Sequence, residues 1–314
     1  MLGQYPITWL ITELLSIVLF VLCMFHALKQ EDYKSKVMEL ICFVVGAGIF
    51  EHVGVLIAKT YSYDQHRILM AGVIPLSVLL IEAVILYSSM ILFEYLKLPK
   101  WTAIWVVGFL CVFQDFSIDP VYINDKYLYN GVMSGQWNWA FKYEGTFFGI
   151  PFENFSGWIY MTGIYAAMIY MGGWLNKKYN KDWIKTATPF ISGLFLIIPL
   201  ALIGMVAING GGARTPELMK LVLNCAFPII LMIIYWNKME PINLKKDKII
   251  FVVPIALQLY NLAVGFGRGI SKSYIPITVC ALINFAFLFY LYRKAKKAEF
   301  DINLSGKQRK IPLT

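Results

Sequence analysis

Charge is scarce in this chain: of 314 residues, 15% are Asp, Glu, Lys or Arg, while 59% are hydrophobic. Soluble domains carry about 25% charged and roughly 45–50% apolar residues, so a soluble globular protein is excluded. Histidine is scarcer still, with three residues, and the five cysteines (Cys23, Cys42, Cys111, Cys225 and Cys280) form no Cys-x-x-Cys and have no histidine at metal-ligand spacing. Zinc ribbons and dithiol redox pairs are thereby excluded, and the cysteines read as small core residues. The first apolar segment lacks the basic leader and small-residue cleavage site of a secretory signal, so a retained helix is expected. No lipidation motif and no solenoid-length repeat is present.

Long hydrophobic runs take the place of charge. Runs of the roughly 20 residues needed to span a bilayer fall at 7–28, 35–58, 68–96, 101–118, 156–175, 188–209, 216–236, 248–266 and 275–292. The fold class expected is all-α, a polytopic membrane bundle of about nine helices, or eight if the short fourth run does not span. Residues 1–297 then form a single transmembrane domain. Within it, 119–155 is a loop outside the membrane or re-entering it, and 298–314 is a polar cytoplasmic tail. Basic residues alternate between gaps: with the N-terminus outside, 20 of the 28 Lys and Arg fall inside, as cytoplasmic loops require. The net charge of +9 is explained by that topology and by attraction to anionic lipid. Nucleic acid is excluded as a partner, since no soluble part carries a basic face.

Acids are distributed unevenly. Thirteen of the 19 precede Trp158, and the later ones sit at helix ends or in loops. An ionised carboxylate in hydrocarbon is costly, so intramembrane acids face a cavity, a partner or a substrate. Glu13, Glu39 and Glu94 lie near helix ends, where snorkelling or pairing with a nearby lysine suffices. Glu51, roughly 12 Å from the outer end of its run at 1.5 Å per residue, and Asp115, within a turn of the outer end of the fourth run, can meet near one leaflet. Glu82 is deepest and is divided between a packing role and a site role. His52 points to a different helical face from Glu51, and His26 and His66 suggest nothing.

Asp115 and Asp119 are spaced i,i+4, which on a helix places both carboxyls on one face. Pro120 disfavours helical geometry at Asp119, so the helix is expected to end there, with the Asp119 side chain turned toward the loop. Trp137 and Trp139 alternate as in a short extended segment with both indoles on one face. The Gly149-Ile150-Pro151 turn and the Asn154, Gly157, Trp158 cluster lead directly into the fifth run.

The run Asp115-Phe-Ser-Ile-Asp119-Pro120-Val121, the Trp137-x-Trp139 pair and Phe148-Gly-Ile-Pro-x-x-Asn154-Phe-x-Gly157-Trp158 resemble the multi-spanning carotenoid-biosynthesis proteins. That family includes bisanhydrobacterioruberin hydratase and gamma-carotene hydratase. Upstream, Glu51-His-Val-Gly54-Val55, Tyr61-Ser-Tyr63 and Gly72-Val-Ile-Pro75-Leu76 are similar to the same pattern, so the likeness covers about residues 45–160. It implies addition of water to the terminal C=C of an acyclic carotenoid or related polyisoprenoid, without a cofactor. It also implies a lipophilic substrate, water, membrane lipids and other carotenoid-pathway enzymes as partners. The sequence departs from the pattern in a longer stretch between Pro120 and Trp137, with Asn124-Asp125-Lys126 added, and in Glu82, where an aromatic residue is commoner.

Hydrating a trisubstituted alkene requires an acid to protonate one carbon, a stabilised tertiary cation, and water delivered to the other carbon. Asp115 or Asp119 is the expected proton donor, with Glu51 positioning or deprotonating the water, although the three roles are interchangeable at this point. Tyr61, Tyr63, Trp137, Trp139, Phe148, Asn154 and Trp158 are the expected substrate-binding residues, with Glu82 a possible addition and no metal ligands. Two other classes stand beside this one. A prenyltransferase would hold diphosphate through magnesium on Asp-x-x-x-Asp, but the second acid-rich motif is missing. A proton-coupled transporter would line a path with Gln258, Asn261 and Asn284, but no inverted repeat is visible. The Asn209–Arg214 glycine stretch lacks the Gly-Lys-Ser/Thr of a phosphate loop and reads as an outer loop.

Overall fold

The computed structural model describes residues 5–129, 131–140, 146–202 and 217–308. Its helices are α1 (Ile7–Leu28), α2 (Tyr33–His52), α3 (Leu76–Leu96), α4 (Ala103–Tyr122), α5 (Phe152–Tyr179), α6 (Asp182–Phe195), α7 (197–202 as described), α8 (Glu217–Ile234), α9 (Ile249–Gly267) and α10 (Tyr274–Gln308). Among the described residues, short strands are confined to two loops: β1 (Tyr61–Tyr63), β2 (Met70–Ala71) and β3 (Ile74–Pro75) before α3, and β4 (Tyr127–Tyr129), β5 (Val132–Ser134), β6 (Trp137–Trp139), β7 (Thr146–Phe147) and β8 (Ile150–Pro151) before α5. Among the described residues, seven helices are long and apolar enough to cross a membrane: α1, α2, α3, α4, α8, α9 and α10. The protein is an all-α polytopic membrane bundle.

The remaining two expected spans take other forms. α5 has 28 residues, but its interior is rich in glycine, tyrosine and tryptophan (Gly157, Trp158, Tyr160, Gly163, Tyr165, Tyr170), which dilutes its apolar character. α6 has 14 residues, and the chain turns at Leu196 before α7. The expected third run begins too early, because residues 68–75 fold as the β2–β3 hairpin. The stretch Asn209–Arg214 lies outside the described residues.

Proline sets where helices begin. Pro6, Pro75 and Pro151 precede α1, α3 and α5 in extended geometry; the fixed φ of proline suits a helix start, and its missing N–H would have had no helical partner there. Pro75 and Pro151 also close the β2–β3 and β7–β8 hairpins. In the second, Phe148 and Gly149 have φ of +52° and +94°, the left-handed pair of a two-residue hairpin turn, which glycine adopts without strain.

Pro120 behaves differently from the sequence expectation. α4 continues through it to Tyr122, and the Ile123 N–H bonds to the Asp119 carbonyl. Proline removes only its own bond, to the carbonyl of Phe116, and so close to the helix end that loss is tolerated. Asp119 therefore stays on the helix, on the same face as Asp115.

α3 is the most enclosed helix, buried from Leu79 to Phe93, and packs against α1, α2, α4 and α9. α4 and α5 touch backbone to backbone: a Cβ at Gly163 would lie 1.8 Å from the Ile104 carbonyl oxygen, and one at Gly108 2.4 Å from that of Ile159. Small residues permit such approach where apolar burial gives no drive between helices in lipid. On the far side of α4, Gln258 donates to Gln114 Oε1 (3.0 Å) and Ser117 Oγ (2.9 Å), while Asn261 donates to Ser117 and Asn284 to Gln114. These amides tie α9 and α10 to α4, on the face opposite Asp115 and Asp119.

Candidate functional site

The two interhelical loops meet at one end of the bundle. β1 pairs antiparallel with β6, matching Tyr61 with Trp139, Ser62 with Asn138, and Tyr63 with Trp137. Because side chains alternate along a strand, the four aromatic rings share one side. They interlock edge to face, with centroids 5.3 Å apart for Tyr61 and Trp139 and 5.9 Å for Tyr63 and Trp137. The loop is anchored from beneath by a buried ion pair: Arg67 Nε donates to Glu13 Oε1 at 3.0 Å, Arg67 Nη1 to Gln136 Oε1 at 2.8 Å, and Arg67 Nη2 to Ser77 at 3.2 Å. Gln136 immediately precedes Trp137, so this anchor fixes β6. Glu13 thus pairs with a loop arginine rather than with a neighbouring lysine, whereas Glu39 and Glu94 pair with Lys36 and Lys100.

Under this aromatic cover lies a cavity of about 190 Å³ walled by α2, α3, α4 and α5. Five carboxyls line it, Glu153 of α5 at its exposed rim and four within: Glu51 from α2, Glu82 from α3, and Asp115 and Asp119 from α4. The inner four are almost fully buried, between 1% and 6% exposed. Among the described residues, no lysine, arginine or histidine lines the cavity.

Each carboxyl has its own surroundings. Glu51 Oε2 accepts two phenols, from Tyr61 at 2.8 Å and Tyr63 at 2.5 Å. Tyr61 reaches it across Gly54, where an added Cβ would lie 2.5 Å from the phenolic oxygen. Gly54 belongs to a π-helical stretch, Val53–Ala58, that continues α2; such turns recur at functional sites. Burial, and then the Glu51 carboxyl, push both phenols far above the ordinary tyrosine range, so they remain donors. Asn154, in the first turn of α5, donates its amide to Asp119 Oδ2 at 2.6 Å and to Asp115 Oδ2 at 3.2 Å. The close α4–α5 contact brings that amide within reach. One amide thus bridges the two carboxyls. Asp115 Oδ1 and Glu82 Oε2 are buried and have no hydrogen-bond partner among the described residues.

Ten of the eleven expected site residues share this cavity: Glu51, Tyr61, Tyr63, Glu82, Asp115, Asp119, Trp137, Trp139, Asn154 and Trp158. Phe148 does not; it occupies the β7–β8 turn and packs on Phe147 at 4.8 Å. Tyr122 is a lining residue that sequence reasoning missed. It lies one turn beyond Ile118 on the face of α4 that carries Asp115, a spacing that becomes visible only once the helix is known to pass Pro120. Gln258, Asn261 and Asn284 line no part of the cavity. Among the described residues, no three His, Cys, Asp or Glu side chains are arranged to hold a metal ion.

A family model described as carotenoid biosynthesis protein matches residues 11–227, more than half the chain. The chain belongs to that family. The matched segment runs from α1 into α8 and contains all four buried cavity carboxyls, both aromatic strands and Asn154. No curated protein and no solved structure matches the chain significantly. By that membership and by its apolar helices, it is a membrane protein of carotenoid biosynthesis.

Proposed function

We propose that the protein hydrates the terminal C=C of an acyclic carotenoid or related polyisoprenoid, giving a tertiary alcohol without a cofactor. The observation that carries this reading is the convergence of four buried carboxyls under aromatic rings, in a cavity with no cationic side chain on its described wall. The Asp115–Asp119 pair, bridged by Asn154, carries one proton in this reading and donates it to the alkene carbon. Rings of Tyr63, Trp137, Trp139 and Trp158 face the resulting tertiary cation, each worth about 0.5–2 kcal/mol in a desolvated site. Glu51, held by two tyrosines, orients a water and accepts its proton as the C–O bond forms. In this reading the N-terminus and the aromatic cover lie outside and the lysine-rich end lies in the cytoplasm.

Prenyl transfer is less well supported. A diphosphate group would bring several negative charges into a chamber already lined by five acids and offering no described lysine or arginine. Transport through Gln258, Asn261 and Asn284 is likewise unsupported, since these amides bond to α4 on the face away from the acids. Expression in a lycopene-producing host, with mass spectrometry of the extracted pigments, tests the reading: a product heavier by one water is expected. Unchanged pigment from a well-expressed protein would overturn it.

A further inference from the structure

A hydration cycle of this kind leaves a proton in the wrong place. The aspartate pair has lost one to carbon and Glu51 has gained one from water, so the next turnover needs a transfer from Glu51 back to the pair. Glu51 stands on α2 and the pair on α4. α3 packs against both, and it carries Glu82.

Glu82 is six residues into α3, roughly 9 Å from the helix start at 1.5 Å per residue. Glu51 lies seven residues before the end of its helical stretch at Ala58, and Asp115 seven before the end of α4, so the three stand at matching depth. The Glu82 side chain lines the same cavity, is 3% exposed, and lies within electrostatic reach of both Glu51 and Asp119. Its Oε2 has no hydrogen-bond partner among the described residues. A packing role would give that oxygen a donor or replace the side chain with an apolar one.

We infer that Glu82 returns the proton from Glu51 to the Asp115–Asp119 pair, an inference that rests on the hydration reading. The Glu51 O–H bond breaks as a Glu82 O–H bond forms, and Glu82 then gives its proton to Asp119. Summed over the cycle, one alkene and one water become one tertiary alcohol. Nothing is oxidised or reduced.

The test compares single and multiple turnovers of lycopene hydration by the full chain in membranes. Glu82→Gln, nearly isosteric, is expected to hydrate one equivalent at close to the wild-type rate with enzyme in excess. With substrate in excess its kcat is expected to fall by roughly 10²-fold, with KM falling in proportion so that kcat/KM is unchanged. Equal loss in both regimes, or loss in neither, overturns the relay. Should Glu82→Gln fail to accumulate, the wild-type rate in mixtures of H₂O and D₂O decides: a curved dependence, from several protons in motion, supports the relay, and a linear one overturns it. Absence of hydration by the wild-type protein would overturn the hydration reading itself, a result distinct from hydration that is indifferent to Glu82.

Discussion

The Tyr63 phenol donates to Glu51 Oε2 at 2.5 Å, joining the aromatic cover to the helix wall of the cavity. Tyr61 donates to the same oxygen, so either tyrosine can partly substitute for the other. Hydrogen bonds to a charged group contribute about 1.5–3 kcal/mol. Tyr63→Phe is expected to slow hydration by roughly 10-fold to 100-fold, and Tyr61→Phe by less. The double variant should lose more than the two single losses combined, as initial rates in membranes would show.

Gly54 leaves the space through which Tyr61 reaches Glu51. Gly54→Ala is expected to displace the phenol and to lower activity about as much as Tyr61→Phe. In a Tyr61→Phe background the same alanine should cost less, since part of the clash is with the absent hydroxyl. A double-mutant cycle on hydration rates measures this coupling, expected at about 0.5–3 kcal/mol for residues in contact. Strict additivity would count against the assignment.

Asn154 serves both aspartates through one amide. Asn154→Leu removes the donor while keeping similar bulk, so loss of roughly 10-fold or more in rate is expected, with stability lowered by about 1–3 kcal/mol as two buried carboxyls lose their donor. Asn154→Asp would add a third acid to the pair and should be the more damaging substitution.

Much of this was legible in the sequence, and for identifiable reasons. Hydrophobic runs and the alternation of lysine-rich gaps marked the membrane bundle because lipid demands both. Glu51, Asp115 and Asp119 stood out because carboxyls are rare within spans, and Trp137 and Trp139 because their spacing has a strand's period. The pairing of β1 with β6 was not legible, since it joins segments more than 70 residues apart through backbone bonds that no side-chain pattern encodes. Pro120 misled because local preference opposes a helix at Asp119, whereas packing of α4 against α5 holds it. Arg67 and Glu13 were missed as partners for the same reason as the strands: only the folded loop brings them together.

Breaking the buried Arg67–Glu13 pair tests that anchor. Arg67→Met alone leaves Glu13 buried without its main cation, and a loss of about 3–5 kcal/mol is expected. Arg67→Met combined with Glu13→Leu should recover most of it. Thermal unfolding in detergent, followed by tryptophan fluorescence, would report both.

At the opposite end of the bundle, Asp247 gathers His26 Nε2 at 2.9 Å, together with the Tyr95 hydroxyl. Burial alone would raise its carboxyl, but the hydrogen bonds from His26 and Tyr95 outweigh it and hold Asp247 below the ordinary carboxylate range. A group lowered in the folded state stabilises fully above its unfolded value, about 3.9, and that contribution disappears as pH falls through the folded value. Wild-type protein is therefore expected to lose thermal stability on acidification below about pH 4, while Asp247→Asn starts less stable and shows a shallower fall. Parallel pH profiles for the two proteins would contradict this.

The two-stranded clasp has a practical outcome. Its inward positions carry the rings over the acids, while Ser62 and Asn138, paired with each other, point outward and are exposed. A probe attached at either position would sit on the clasp without touching the chamber, so separation of the strands during substrate uptake could be followed in a protein whose chemistry is intact.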